Sequence, residues 1–364
     1  LLFLNTILTK KEENIIIKEA AMIRIRKIFA GILAVSGLVA GSLFAARLML
    51  INGAGATFPY PLYSKWFYEY THVDPTVNFN YQAIGSGGGI RQLMEGTVDF
   101  GASDVALTDA QIKEAKQEIF HIPMVAGAVA IVYNLPGVTG TLRLTPETLS
   151  DIYLGKIRRW NDPKLAGLNP QLSGVSENII VCYRSDGSGT TSIFTSYLTN
   201  VSAEWKKRVG SGTSVNWPAG LGGKGNPGVA GLVKQNKGGI GYVELAYAVQ
   251  NKLAFAALKN KSGNFVEPSL ESTSKALAGI MENMPSDFRV SVVNAPGKDS
   301  YPIAGITWIL VYKNLPDRAK GEKLVQFLKW AVTDGQKYAA ALDYAPLPPA
   351  FAKRVLEKIS QIRY

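Results

Sequence analysis

Hydrophobic positions along the chain fall into short runs, each ending in small or acidic residues and followed by a stretch with helical spacing. RLMLINGAG (47–55) reads as a strand closed by a glycine turn, and the proline and aromatic spacing of FPYPLYSKWFYEYTH (58–72) predict a helix. TVNFNYQA (76–83) alternates as a strand, IGSGGGIRQLMEG (84–96) is a glycine-rich turn opening a helix, and VDFGASD (98–104) is a strand ending in an acid. Thr108 and Gln111 have capping-box spacing, and Thr145-Pro146-Glu147 reads as another helix start. IPMVAGAVAIVYN (122–134) is a long apolar strand with a glycine in its middle, NIIVCY (178–183) a shorter one, and SGTTSIFTSYL (188–198) a helix. GLGGKGNPGVAGLVKQN (220–236) predicts a glycine-rich loop and helix, GGIGYVEL a strand, ESTSKALAGIMENM a helix, TWILVYK a strand, and AKGEKLVQFLKWAV an amphipathic helix.

Repeated strand-turn-helix units predict an α/β protein with a largely parallel sheet and ligand groups at the carboxyl ends of its strands. At 364 residues and 47% hydrophobic content, the chain divides into two lobes. The division expected is residues 1–46 as upstream residues and signal peptide, 47–124 with 296–364 as lobe I, and 125–295 as lobe II. The turn-rich NAPGKDSYPIAG (294–305) marks the return to the first lobe.

MIRIRK (22–27) followed by the apolar IFAGILAVSGLVAGSLFA (28–45) has the pattern of an export signal, with Met22 as the start and Ala45 or Ala46 at the cleavage site. The same run approaches the length of a single membrane anchor. One cysteine, Cys182, excludes a disulfide framework, and its place in a strand makes it a packing residue. Net charge is +11, and residues 47 onward keep 33 basic and 25 acidic side chains, about +8. That balance suits an acidic partner, but the basic residues are dispersed and not interleaved with aromatics, so nothing points to nucleic acid. The two histidines, His72 and His121, lack a second ligand at metal spacing.

Four segments share one design, a small flexible backbone with hydroxyl side chains at a helix start or strand end: Gly53–Phe58, Gly85–Gly89, Gly101–Asp104 and Ser188–Thr190. Helix N-termini leave backbone N–H groups unpaired, so such segments suit an anion, and Arg184 adds a planar fork for two oxygens. Together they point to a small tetrahedral oxyanion. GLGGKGN lacks the Lys-Ser/Thr ending of a nucleotide P-loop. Ser188 lies between glycines in DGSGT, without the first glycine of a G-x-S-x-G elbow, which leaves a serine phosphatase or esterase as the alternative.

GAGATFPYPLYSKW, YQAIGSGGGIRQLMEGTVDFGASD, LSDIYLGKIRRWNDPKLAGLNP, RSDGSGTTSIFTSYL and GLGGKGNPGVAGLV resemble, in order, the phosphate-binding protein family of the bacterial high-affinity phosphate ABC importer, and the likeness extends to LDYAPLP near the C-terminus. The resemblance implies a type II periplasmic binding protein fold, two α/β lobes joined by two crossover strands. It implies a periplasmic, monomeric receptor without cofactor or catalytic activity, delivering inorganic phosphate to a permease and its ATPase. It places phosphate contacts on Thr57, Phe58, Ser86, Asp104, Arg184, Ser188, Gly189 and Thr190. At Gly87 many relatives carry a serine.

The chemistry of these groups is consistent with that ligand. A carboxylate at Asp104 repels a fully deprotonated anion such as sulfate, whereas phosphate near neutral pH retains a proton for it. An unpaired acid beside sulfate costs roughly 10⁴-fold or more in affinity. Arsenate, with the same protonation chemistry, is not rejected on this basis. Asp186, two residues beyond Arg184, is expected to hold the guanidinium in place.

Overall fold

The computed structural model describes residues 48–364 together with Met22 and Arg24. The export segment read at 22–45 lies outside these residues apart from those two, and among the described residues no helix is long and apolar enough to cross a membrane.

Twelve strands are described: β1 (Met49–Gly55), β2 (Val77–Ala83), β3 (Phe100–Ser103), β4 (Ile119–Tyr133), β5 (Arg143–Leu144), β6 (Ile180–Arg184), β7 (Leu221–Gly223), β8 (Gly239–Glu244), β9 (Ala254–Phe255), β10 (Ala257–Lys259), β11 (Phe265–Val266) and β12 (Ala304–Tyr312). The main sheet runs β2-β1-β3-β12-β4-β8-β6-β7, with β9 also on β4, while β5, β10 and β11 form a small separate sheet. The helices predicted from the apolar spacing lie at Tyr60–Tyr70, Ser86–Glu95, Gly189–Val201, Gly225–Gln235, Leu270–Ala278 and Arg318–Ala331. Both expected caps form: Thr108 accepts from the Gln111 N–H in a full capping box, and Thr145 does the same with Thr148.

The sheet is mixed, which corrects the expectation of a largely parallel one. β1 is parallel to β2 and β3, and β6 is parallel to β7 and β8, but β4 and β12 run antiparallel to each other and to their outer neighbours β8 and β3. A buried strand reads as a continuous apolar run whichever way its neighbour points, so direction is not written in the pattern.

β4 joins the two halves of the sheet. It pairs with β12 from Ile119 to Ala128 and with β8 from Val129 to Tyr133. The glycine in its middle has a packing reason: a Cβ at Gly127 would come within 2.7 Å of the Phe58 ring.

Each half has its own aromatic core. In the first, Phe79 packs on Phe327 (ring centroids 4.4 Å apart) and Phe67 (4.7 Å). In the second, Tyr242 stacks on Phe194 (4.5 Å) and Trp217 (5.7 Å). The residues before β12 interleave with both halves. Arg289 bonds to the Leu107 carbonyl and Asp109, while Asn260 holds the carbonyls of Gly297, Lys298 and Ser300.

Candidate anion-binding site

The four small-residue segments converge where the two halves meet. From the first half come the turn after β1, the start of helix Ser86–Glu95 and the end of β3; from the second come the end of β6 and the start of helix Gly189–Val201. Thr57, Phe58, Ser86, Asp104, Arg184, Ser188, Gly189 and Thr190 are all buried. Ser86 is the first residue of its helix, and Ser188 caps the other by accepting from the Thr191 N–H at 3.0 Å. Gly85, at φ +88°, makes the turn before Ser86 in a conformation few other residues adopt, and a Cβ there would lie 2.5 Å from Asp186 Oδ2 and the Gly187 carbonyl.

The halves are joined by direct contacts across the cleft. Gly189 N–H donates to Ser86 Oγ at 3.1 Å, and Gly87 N–H to the Gly187 carbonyl at 3.0 Å. A Cβ on Gly189 would collide with Ser86 Oγ and lie 2.7 Å from the Asp104 Cβ. At Gly87 the corresponding Cβ would meet Gly187 Cα at 3.4 Å, an ordinary contact, so a serine fits there.

Asp104 is 3% exposed. Its Oδ1 accepts from Thr307 Oγ at 2.8 Å, and Ser86 Oγ lies 3.4 Å from Oδ2. Burial raises its carboxyl to about 7, against the opposing pull of the Thr307 bond, the Arg184 charge and the Ser86 bond. Asp104 therefore exchanges its proton near neutrality.

Arg184 donates through Nε and Nη2 to the two oxygens of Asp186, at 2.8 and 2.7 Å, and through Nη1 to Thr190 Oγ1 at 3.3 Å. Its backbone N–H reaches the Tyr242 hydroxyl at 3.0 Å, which ties the end of β6 to the aromatic core. Burial alone would raise Asp186, but the bonds and charge of Arg184 and the Gly225 N–H outweigh it and hold the carboxyl below its ordinary value. The pair is internally neutral, so the helix N-termini and hydroxyls supply much of the attraction for an anion.

Phe58 turns its ring into the core against Gly127 and Tyr344, and its carbonyl accepts from the Tyr344 hydroxyl at 2.6 Å, which leaves the backbone N–H as the group it can offer a ligand. The two histidines lie elsewhere. Burial lowers His121 to about 4, and its Nε2 accepts from the Leu107 N–H at 3.0 Å; His72 packs beside Tyr68. Cys182 is buried, which pushes its thiol up to about 12. Among the described residues no three His, Cys, Asp or Glu side chains gather as a metal site.

Reading the sequence missed Thr307, Asn226, Glu244, Tyr247 and Tyr344. Asn226 bonds to both Thr57 and Thr190; the Tyr247 hydroxyl donates to the Thr57 carbonyl at 2.6 Å; Glu244, fully buried, lies 3.0 Å from the Tyr344 hydroxyl. Asn226 sits inside the glycine-rich stretch already singled out, but its partners are 36 and 169 residues away.

Two α/β halves, linked by crossing strands and closing on a polar cleft, make this a solute-binding protein with the type II periplasmic binding protein fold. The PBP superfamily domain matches residues 36–335. The phosphate-binding protein PstS of Xylella fastidiosa (strain 9a5c) is 47% identical over 306 residues, covering 84% of this chain and 83% of the relative. Among solved structures, the phosphate-binding protein of Stenotrophomonas maltophilia is similar at 22% identity and a TM-score of 0.65, covering 85% of this chain and 93% of that one. An ABC-type phosphate transport receptor from Vibrio cholerae is similar at 20% identity and a TM-score of 0.54, covering 82% and 100%. The chain belongs to the PBP superfamily and, within it, to the family of PstS phosphate-binding proteins.

Proposed function

We propose that the protein captures one inorganic phosphate between its halves and delivers it to the permease and ATPase of a phosphate ABC importer. The observation that carries this reading is Asp104, a buried carboxyl that titrates near neutrality and faces hydroxyl donors, helix starts and Arg184 across the cleft. Asp104 and the anion need one proton between them. Monohydrogen phosphate brings that proton, and sulfate does not.

The proposed contacts are Thr57, Phe58, Ser86, Asp104, Arg184, Ser188, Gly189 and Thr190, with Asp186 bracing the arginine. Ser86 Oγ accepts from the Asp104 and Gly189 N–H groups, both at 3.1 Å, and directs its own proton to Asp104 Oδ2 at 3.4 Å. We divide the chain into 47–124 with 296–364, and 125–295, with β4 passing between the halves of the sheet at Ala128–Val129. Hinge bending would open the cleft there and near 294–305. The pattern at 22–45 supports export to the periplasm, and we take the receptor to act as a monomer without cofactor, metal or nucleic acid.

Calorimetry of the purified protein with phosphate, arsenate and sulfate tests the reading. Tight phosphate binding is expected, with arsenate competing and sulfate silent well above pH 7, where Asp104 has lost its proton. No heat with phosphate would rule it out. A phosphatase or esterase based on Ser188 is the competing reading. Ser188 Oγ accepts from the Thr191 N–H, and neither histidine bonds to it. Turnover of a chromogenic phosphate ester, abolished by Ser188→Ala, would establish that activity instead.

A further inference from the structure

Asn226, at the start of helix Gly225–Gln235, is completely buried and directs every polar atom of its amide. Its Oδ1 accepts from the Glu244 N–H at 2.9 Å, which assigns the other end of the amide as Nδ2. The Nδ2 group then donates to Thr57 Oγ1 at 2.9 Å and to Thr190 Oγ1 at 3.1 Å. Each threonine oxygen receives a second N–H: Thr57 from the Asn226 backbone at 3.2 Å, Thr190 from Arg184 Nη1 at 3.3 Å.

A hydroxyl has two acceptor positions and one proton. With both acceptor positions filled by N–H groups, each threonine can only donate, and among the described residues neither donates to a protein group. Thr57 belongs to the first half and Asn226 and Thr190 to the second, so this arrangement exists only when the halves meet.

We propose that Asn226 is a positioning residue that converts Thr57 and Thr190 into obligate hydrogen-bond donors on closure, and so biases the cleft toward the less protonated form of the bound oxyanion. This rests on the phosphate reading above. Monohydrogen phosphate has one proton, which Asp104 takes, and its remaining oxygens need donors. Dihydrogen phosphate brings a second proton, and threonines that cannot accept offer it no place.

Asn226→Ala lets both hydroxyls turn and accept. Asn226→Asp keeps an oxygen for the Glu244 N–H but replaces the donor with an acceptor, drawing both threonine protons toward itself. The charged and titratable groups around this hub are Arg184 and Asp186 at the end of β6, Asp104 after β3, Glu244 in β8, and the Tyr247 and Tyr344 hydroxyls. Asn226→Ala leaves all of these side chains in place but also removes the bond to the Glu244 N–H, so the pH dependence of the wild-type to variant ratio, rather than its size, reads the hydroxyls.

The test is phosphate calorimetry on both variants and wild type across the pH range in which dihydrogen phosphate becomes monohydrogen phosphate, with thermal melts to confirm folding. Asn226→Ala should weaken binding by about 10- to 100-fold, Asn226→Asp by more, and the wild-type to Asn226→Ala ratio should grow as pH rises. A purely structural asparagine would give a ratio flat with pH, which overturns the proposal, as would unchanged affinity in both variants. Should Asn226→Ala fail to fold, full phosphate affinity in Asn226→Asp overturns it alone. Failure of the wild type to bind phosphate would instead remove the reading on which it rests.

Discussion

Arg184 and Asp186 are joined by one hydrogen bond to each carboxylate oxygen, at 2.8 and 2.7 Å, with the arginine side chain 1% exposed and the aspartate 13%. The arginine proposed to meet the anion is thus already partnered within the chain. Taking away one member of a buried pair leaves the other uncompensated, at a cost of about 3–5 kcal/mol.

Asp186→Asn should therefore lower the melting temperature of the ligand-free protein and be rescued by phosphate, which replaces the missing negative charge beside Arg184. The phosphate-induced rise in melting temperature should be larger in the variant than in wild type. Equal rises in thermal melts with and without phosphate would show that Asp186 does not compete with the ligand for the guanidinium.

Asp104 predicts how sulfate rejection depends on pH. Its carboxyl titrates at about 7, and only the protonated form can donate to an anion that has no proton of its own. Apparent sulfate affinity should rise about tenfold for each unit by which pH falls toward that value and then level off. Asp104→Asn, an uncharged amide at every pH, should bind sulfate without that slope. Competition calorimetry at a series of pH values reads both.

Gly189 tests the close approach of the two halves. Gly189→Ala directs a methyl group at Ser86 Oγ and Asp104 across the cleft while leaving each half intact. Phosphate affinity should fall by about 10- to 100-fold, the scale of overpacking a tight contact, with little change in the ligand-free melting temperature. A serine at Gly87, where there is room for a Cβ, should have almost no effect in the same titration.

Glu244 makes stability depend on pH. Burial raises its carboxyl well above the ordinary 4.5, against the opposing bonds of Tyr344 and the Ala246 N–H. The folded state thus holds the proton more tightly than the unfolded one. Its contribution is fully present below 4.5 and lost progressively as pH climbs toward the raised value. Denaturant unfolding of Glu244→Gln should show a shallower decline of stability with rising pH than wild type; an unchanged slope would mean the carboxyl is ionised when folded.

Local features of the sequence were widely legible. The caps at Thr108, Thr145 and Ser188 depend on residues three apart, and the apolar runs of β1, β4 and β12 announce themselves by composition. Illegible were the contacts made by β4 and β12, which pair in opposite directions, and the polar hub around Asn226, whose partners come from distant segments. Glu244 gave no signal as an acid because a strand-end glutamate reads as a surface residue until its surroundings are known.

By itself, the sequence determined which pieces could face an anion: the small-residue turns, the helix starts, one arginine and one acid at a strand end. Tertiary structure alone decided that these pieces meet, which guanidinium edge Asp186 occupies, and which way the hydroxyls of Thr57 and Thr190 point. The reason is physical. Helix caps and apolar periodicity are local and repeat within a few residues, whereas the proton affinity of Asp104 and the direction of a hydroxyl depend on burial and on donors brought from segments far apart in the chain.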